Sequence, residues 1–182
     1  MADSTLEELM QSYVDGDPVA FDELYRRVAR ALYSYLMRLT RERSRAEDLL
    51  QVTFIKVHRA RGSYIKGAPL MPWLLAIARR AFLDERRMKK SRYEDLSHDG
   101  KVPERTEAQE PLADDVSDAL ALALEELPEN YREAIQLTKI TGLSLSEAAD
   151  VLDTTPTAVK LRVHRGYNIM REKIENLRRP RP

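Results

Sequence analysis

Five cations, Arg79, Arg80, Arg86, Arg87 and Lys90, gather on one side of the helix expected over residues 72–90, opposite Leu74, Ile77, Ala78 and Ala81. Guanidinium and ammonium groups massed in one sector can neutralise successive phosphates, and Trp73 at the border adds an aromatic edge to that sector. Taken alone, such a charge run also suits a solvated face on a core helix. A second set, Thr157, Lys160, Leu161, His164 and Arg165, points outward from a later helix whose N-terminal half would fit a DNA major groove. Other chemistry has little to draw on. The 182 residues include no Cys and only three, widely separated His. That leaves no disulfide, no thiolate zinc site and no Cys nucleophile. Nor is there a phosphate-gripping Gly loop, a His pair at metal spacing or a plausible Ser-His-Asp set. No catalytic residue, cofactor or metal is expected.

The elements that must carry these groups are helices. Asp17-Pro18 sets an N-cap residue before a Pro suited to the first helical position, and Phe21, Leu24, Tyr25, Val28, Leu32, Tyr35, Leu36 and Leu39 follow at helical spacing. Ser44-Arg45-Ala46-Glu47 reads as a capping box ahead of the stripe Ala46, Leu49, Leu50, Thr53 and Val57, with Glu47, Asp48 and Gln51 on the polar face. Gly62, Gly67, Pro69 and Pro72 predict a loop, and Pro72 is placed to open the basic helix. Residues 93–118 lose periodicity and are rich in Asp, Glu and Pro, as a linker without a core would be.

Periodicity resumes at Val116, Leu120, Leu124 and Leu127 and stops near Pro128; a further helix carries Tyr131, Ile135 and Leu137 toward Gly142. Ser144-Leu145-Ser146-Glu147 is another capping box, opening a short helix through about Leu152, and Thr155-Pro156 opens a longer one through about Lys173. Two helices joined by so short a turn predict a helix-turn-helix, with Ala149 small at the crossing, Val159 facing the core and Asp153 in a turn that usually favours Gly. A small helical bundle with a capped corner fits the same pattern.

Formal net charge is zero, yet it is unevenly spread. Residues 1–92 carry 18 Lys/Arg against 12 Asp/Glu, residues 93–126 carry 2 against 11, and residues 127–182 carry 10 against 7. Two basic modules around an acidic connector suggest two nucleic-acid-facing units. No apolar run approaches the length of a membrane span and no charged-then-apolar segment opens the chain, so a cytoplasmic location without membrane insertion is expected.

Together the two blocks resemble the extracytoplasmic-function (ECF) sigma factors of bacterial RNA polymerase across almost the whole length. In the first block the resemblance is carried by Phe21-Asp22-Glu23-Leu24-Tyr25, by Ala46-Glu47-Asp48-Leu49-Leu50-Gln51, and by Trp73-Leu74-Leu75-Ala76-Ile77-Ala78-Arg79-Arg80 with Asp84, Arg86 and Arg87. In the second it is carried by Leu127-Pro128-Glu129-Asn130-Tyr131-Arg132, by Ser146-Glu147-Ala148-Ala149, and by Ala158-Val159-Lys160-Leu161-Arg162-Val163-His164-Arg165-Gly166. The resemblance implies an all-α protein of two small helical domains: residues 1–92 as sigma region 2, an acidic flexible linker over 93–118, and residues 119–182 as sigma region 4 with its helix-turn-helix.

It also implies roles. Glu47, Asp48 and Gln51 would dock on core polymerase, where carboxylates and an amide would meet Arg side chains. Tyr64, Ile65, Lys66, Arg79, Arg80, Asp84 and Arg87 would bind the minus-ten element and hold an unstacked base. Thr157, Lys160, Leu161, Arg162, His164 and Arg165 would meet the minus-thirty-five element. Three positions depart from the family pattern: Val52 where an acidic residue is common, Arg80 where Asn is common, and Leu161 where Ser is frequent. Leu161 could contact a thymine methyl or be buried. The implied partners are core RNA polymerase, promoter DNA and an anti-sigma factor. A stand-alone helix-turn-helix regulator, or a scaffold that binds only protein, is the competing reading.

Overall fold

The structure, a computed structural model, describes residues 4–96 and 123–178, all helix and connecting turns with no strand among them. The chain divides into two compact units, Met1–Ala108 and Gln109–Pro182, and the division falls inside the acidic segment. Most of that segment, with Val116 and Leu120, lies outside the described residues.

The first unit packs α1 (Leu6–Val14), α2 (Pro18–Thr40), α3 (Arg43–Ala60) and α4 (Leu70–Leu96) around one core. α1 opens on a complete capping box between Thr5 and Glu8, which satisfies two donors that the helix cannot. At α2 the Asp17 carboxylate accepts from Val19 N at 2.9 Å and Pro18 takes the first helical position, as expected from the sequence. Its stripe Leu24, Val28, Leu32, Tyr35 and Leu36 is fully buried, as are Met10 of α1, Ala46 and Val57 of α3, and Leu74, Leu75 and Ala78 of α4, the three helices that pack on α2. Each such Leu contributes about 1.5–3 kcal/mol. Phe21 is only half-buried and Tyr25 is exposed.

Three expectations are corrected here. α3 begins at Arg43 with Glu42 as its N-cap, so Ser44 and Glu47 form no capping box. The Thr40 hydroxyl, bonded to both the carbonyl and the N–H of Glu42, fixes Glu42 just ahead of the helix, and the Ser44 hydroxyl donates to the Glu42 carboxylate instead. α4 starts at Leu70, which makes Pro72 its third residue; the first turn tolerates a missing N–H because that donor has no helical partner. α4 also runs to Leu96, so residues 93–96 continue a helix rather than open the linker. From Arg86 to Leu96 there is no Gly or Pro to stop it.

The second unit begins with a helical turn at residues 123–125, then α5 (Glu129–Ile135), α6 (Leu145–Leu152) and α7 (Pro156–Arg178). α5 widens into a π turn, Gln136–Ile140, where Thr141 N–H reaches back to Gln136 O at 2.9 Å, and Gly142 follows at φ +82°. The wider turn shifts the helical phase. Gln136, the first residue of that turn, is buried with Ile135 and Leu137, its Oε1 without a hydrogen bond. Gly166 lets α7 cross α5 closely: a Cβ there would stand 2.7 Å from Ile135 Cδ1 and 3.4 Å from Tyr131 Cβ.

Candidate nucleic-acid interface

Between α3 and α4, a tight turn over Arg61–Ser63 leads into Tyr64. The Tyr64 ring is buried, edge-on to Trp73 at 5.4 Å between centroids, and its hydroxyl donates to the Ala68 carbonyl. Burial pushes its phenol above the usual range, and the nearby Glu7 carboxylate adds to that, so the hydroxyl keeps its proton. Ala68 N–H then donates to Ile65 O at 3.0 Å, closing a turn in which Gly67 holds φ +78°, a conformation that only Gly adopts freely. Ile65 and Lys66 stand at the outer corner. Ile65, 75% exposed, is the most exposed large apolar side chain among the described residues. Of the three loop residues grouped in the sequence, Tyr64 is therefore the internal brace and the other two are the presented surface.

α4 carries Arg80, Asp84 and Arg87 along one exposed ridge, at spacings of four and three residues. Arg79 is half-buried beside it, and the Arg86 guanidinium lies 5.5 Å from the Phe82 ring centroid. Asp84 would weaken a phosphate-binding ridge by repulsion, but its carboxylate accepts from Lys56 Nζ of α3 at 2.6 Å. An exposed pair of this kind adds little stability. Its effect here is on sign: it cancels the one negative charge on the ridge. Lys56 was not marked in the sequence, because nothing local links it to a residue 28 positions away.

α3 shows a different surface. Asp48, Gln51, Val52 and Ile55 fall on one side at helical spacing, and all are exposed, Val52 at 39% and Ile55 at 52%. Glu47 is exposed too, paired with Arg43 at 2.9 Å. The face is thus polar at one end and apolar at the other. A signal for the apolar half was present, since Val52 and Ile55 fall outside the stripe of Leu49, Thr53 and Val57.

In the second unit the helix-turn-helix forms as the sequence predicted. Both halves of the Ser144–Glu147 box are made, at 2.8 and 3.2 Å, and hydrogen bonding of the Glu147 carboxylate to the Ser144 hydroxyl and backbone N–H holds that carboxyl below its usual range. α6 ends with Asp153 left-handed at φ 52°, Thr154 N–H reaches back to Ala149 O, and the Thr155 hydroxyl caps α7 through Ala158 N. Ala149 and Val159 are buried at the crossing. Thr157, Lys160, Leu161, His164 and Arg165 are exposed on the opposite side, and Arg162 is half-buried. Leu161 is 51% exposed, which excludes a core role. His164 Nδ1 lies 3.4 Å from Asn168 Nδ2, a partner one turn on that the sequence reading did not include.

Comparison with known proteins matches residues 24–92 to Sigma-70 region 2 and residues 117–170 to Sigma-70, region 4. The RNA polymerase sigma factor CarQ of Myxococcus xanthus is 34% identical over 92% of this chain and 97% of its own length. The ECF RNA polymerase sigma factor SigF of Caulobacter vibrioides is 32% identical over 94% and 95%. Among solved structures, the sigma factor RpoE from Bartonella quintana, in complex with the anti-sigma factor NepR, aligns with a TM-score of 0.72 and 29% identity, covering 85% of this chain and 96% of that one. No helix among the described residues is long and apolar enough to cross a membrane.

Proposed function

We propose a division of labour from one premise: the chain belongs to the sigma-70 family, within its ECF sigma factors. It is a transcription initiation factor that binds core RNA polymerase and recognises promoters. It is not an enzyme, because promoter opening draws on binding energy while bond formation belongs to the polymerase. Residues 1–92, within the first unit, dock on core through Glu47, Asp48 and Gln51, whose polar groups suit Arg side chains, with Val52 and Ile55 adding apolar contact. The same unit binds the minus-ten element. Extruding a base costs a few kcal/mol; Ile65 and Lys66 offset this by packing on the base and its backbone, while Arg79, Arg80 and Arg87 neutralise neighbouring phosphates. Arg80, in place of the family's usual Asn, contacts phosphate. Tyr64 and Asp84 support these groups as a brace and as the partner of Lys56.

Residues 119–182, within the second unit, read the minus-thirty-five element with α7 in the major groove. Lys160, Leu161, His164 and Arg165 meet base edges, Leu161 on a thymine methyl, while Thr157 and Arg162 meet phosphates. The chain works in the cytoplasm, and an anti-sigma factor of the kind bound to the Bartonella relative is a further partner.

One observation carries the reading most directly: α7 buries Val159 and Val163 and presents Lys160, Leu161, His164 and Arg165 to solvent. Promoters selected with reconstituted holoenzyme test it. Lys160→Ala and Arg165→Ala should each cost about 1–3 kcal/mol in a base-dependent manner. Reversal of Glu47 and Asp48 to Lys should instead impair holoenzyme assembly. An unchanged promoter profile for the first pair would reject the recognition surface, and equal assembly by the second variant would reject the docking face.

A further inference from the structure

α4 starts without a cap of its own. Leu70, its first residue, follows Pro69, whose side chain offers no acceptor, and Pro72 removes the donor at the third position. The amides of Leu70 and Met71 therefore carry most of the positive end of a 27-residue helix. The acceptor for Leu70 comes from 63 residues upstream: its N–H donates to Glu7 Oε1 of α1 at 3.1 Å. A charged acceptor at this place both satisfies the donor and complements the helix dipole.

α1 also holds the other end of the same loop. The Arg61 guanidinium lies 5.9 Å from the centroid of the Tyr13 ring, and the Tyr13 hydroxyl is hydrogen-bonded to His58 Nδ1 in the last turn of α3. Between these fastenings, Tyr64 is the one residue of 61–69 that is buried, and Ile65, Lys66 and Gly67 project into solvent. The projecting turn has almost no packing of its own. Its position is defined by Tyr64 and by its two ends, and both ends are tied to α1.

We propose that Glu7 is a positioning residue for promoter opening: by capping α4 at Leu70 it fixes where the Ile65–Lys66 turn stands relative to the cationic ridge. The inference rests on the reading of that turn as the base-capturing element. Glu7 does not touch DNA. It acts through the start of α4.

The test uses holoenzyme reconstituted with the full chain, on a promoter first selected with the parent. Glu7→Ala should slow open-complex formation about fivefold or more while core affinity stays within about twofold, since only the placement of the turn is lost. Glu7→Gln keeps a side-chain carbonyl oxygen for Leu70 and should restore most of the rate. In the free chain, the Leu70 amide should exchange with solvent about tenfold faster in Glu7→Ala than in the parent. Ile65→Ala separates the two claims. If Ile65→Ala is slow and Glu7→Ala opens at the parental rate, the role of Glu7 is wrong and the reading of the turn stands. If Ile65→Ala itself opens at the parental rate, the turn is not the base-capturing element and the inference falls with it. Equal losses of core affinity and opening in Glu7→Ala would show a general structural effect and would also overturn it.

Discussion

Asp153 shows how much a single residue's backbone decides. Its φ of 52° puts a Cβ-bearing residue in the left-handed region, at the corner on which the two helices of the second unit turn. Asp tolerates that conformation better than most residues, and Gly better still. Asp153→Gly should raise stability by about 0.5–1 kcal/mol, read as a higher urea midpoint; a lower midpoint would mean that the carboxylate does more than occupy the corner. The corner was legible in the sequence because its signals are local: Ser144 with Glu147, Asp153, then Thr155 with Pro156. The burial of Gln136 was not. Its type argues for the surface, and only the packing of five consecutive residues, Glu133 to Leu137, takes it inside.

Between elements, a two-point ion pair in the first unit joins α3 to α4. Arg45 grips the Glu85 carboxylate with two nitrogens, at 2.8 and 3.3 Å, and Lys89 adds a third cation contact at 2.8 Å. Burial alone would raise the Glu85 carboxyl, but the hydrogen bonds from Arg45 and Lys89 outweigh it and hold the group below its usual range. A carboxylate depressed by folding stabilises the fold above its unfolded value, about 4.3, and loses that contribution as pH falls through the lower folded value. Stability of the first unit should therefore fall on acidification below about pH 4.3, and Arg45→Met should flatten that acid limb while lowering stability at neutral pH. A parental acid limb in that variant would exclude the pair as its source. In the second unit the close crossing at Gly166 makes a different demand. Gly166→Val should cost about 1–3 kcal/mol by forcing Ile135 and Tyr131 apart, measured by thermal unfolding; a neutral result would mean that α7 can shift outward freely. Nothing in the sequence reading marked α1, whereas α2, α3, α4, α6 and α7, each with a regular apolar stripe, were legible as helices. Their boundaries were less so. Ser44 is the better cap by residue type, yet Glu42 takes the N-cap position without a side-chain cap bond, bonded there to the Thr40 hydroxyl; the acceptor for the first amide of α4 is Glu7, 63 residues away, which no local pattern can reveal.

At the scale of the whole molecule, zero net charge conceals strong separation: residues 93–126 carry 11 Asp/Glu against 2 Lys/Arg, between two basic blocks. Away from polymerase, this acidic block should weaken the attraction of the chain for DNA of any sequence. Replacing those 11 acids by Asn and Gln should strengthen binding of the free chain to non-promoter duplex about tenfold at low salt, an advantage that high salt removes. Unchanged binding in a titration at low ionic strength would show that the block has no such influence. The fold-level reading succeeded because the two matched regions span most of the chain, whereas the pairing of Lys56 with Asp84 and the bracing of the loop by α1 required coordinates. The exposed corner at Ile65 has its own consequence. One apolar side chain standing alone is too small to hold two copies together, so Ile65→Thr should leave the sedimentation of the free chain as it is.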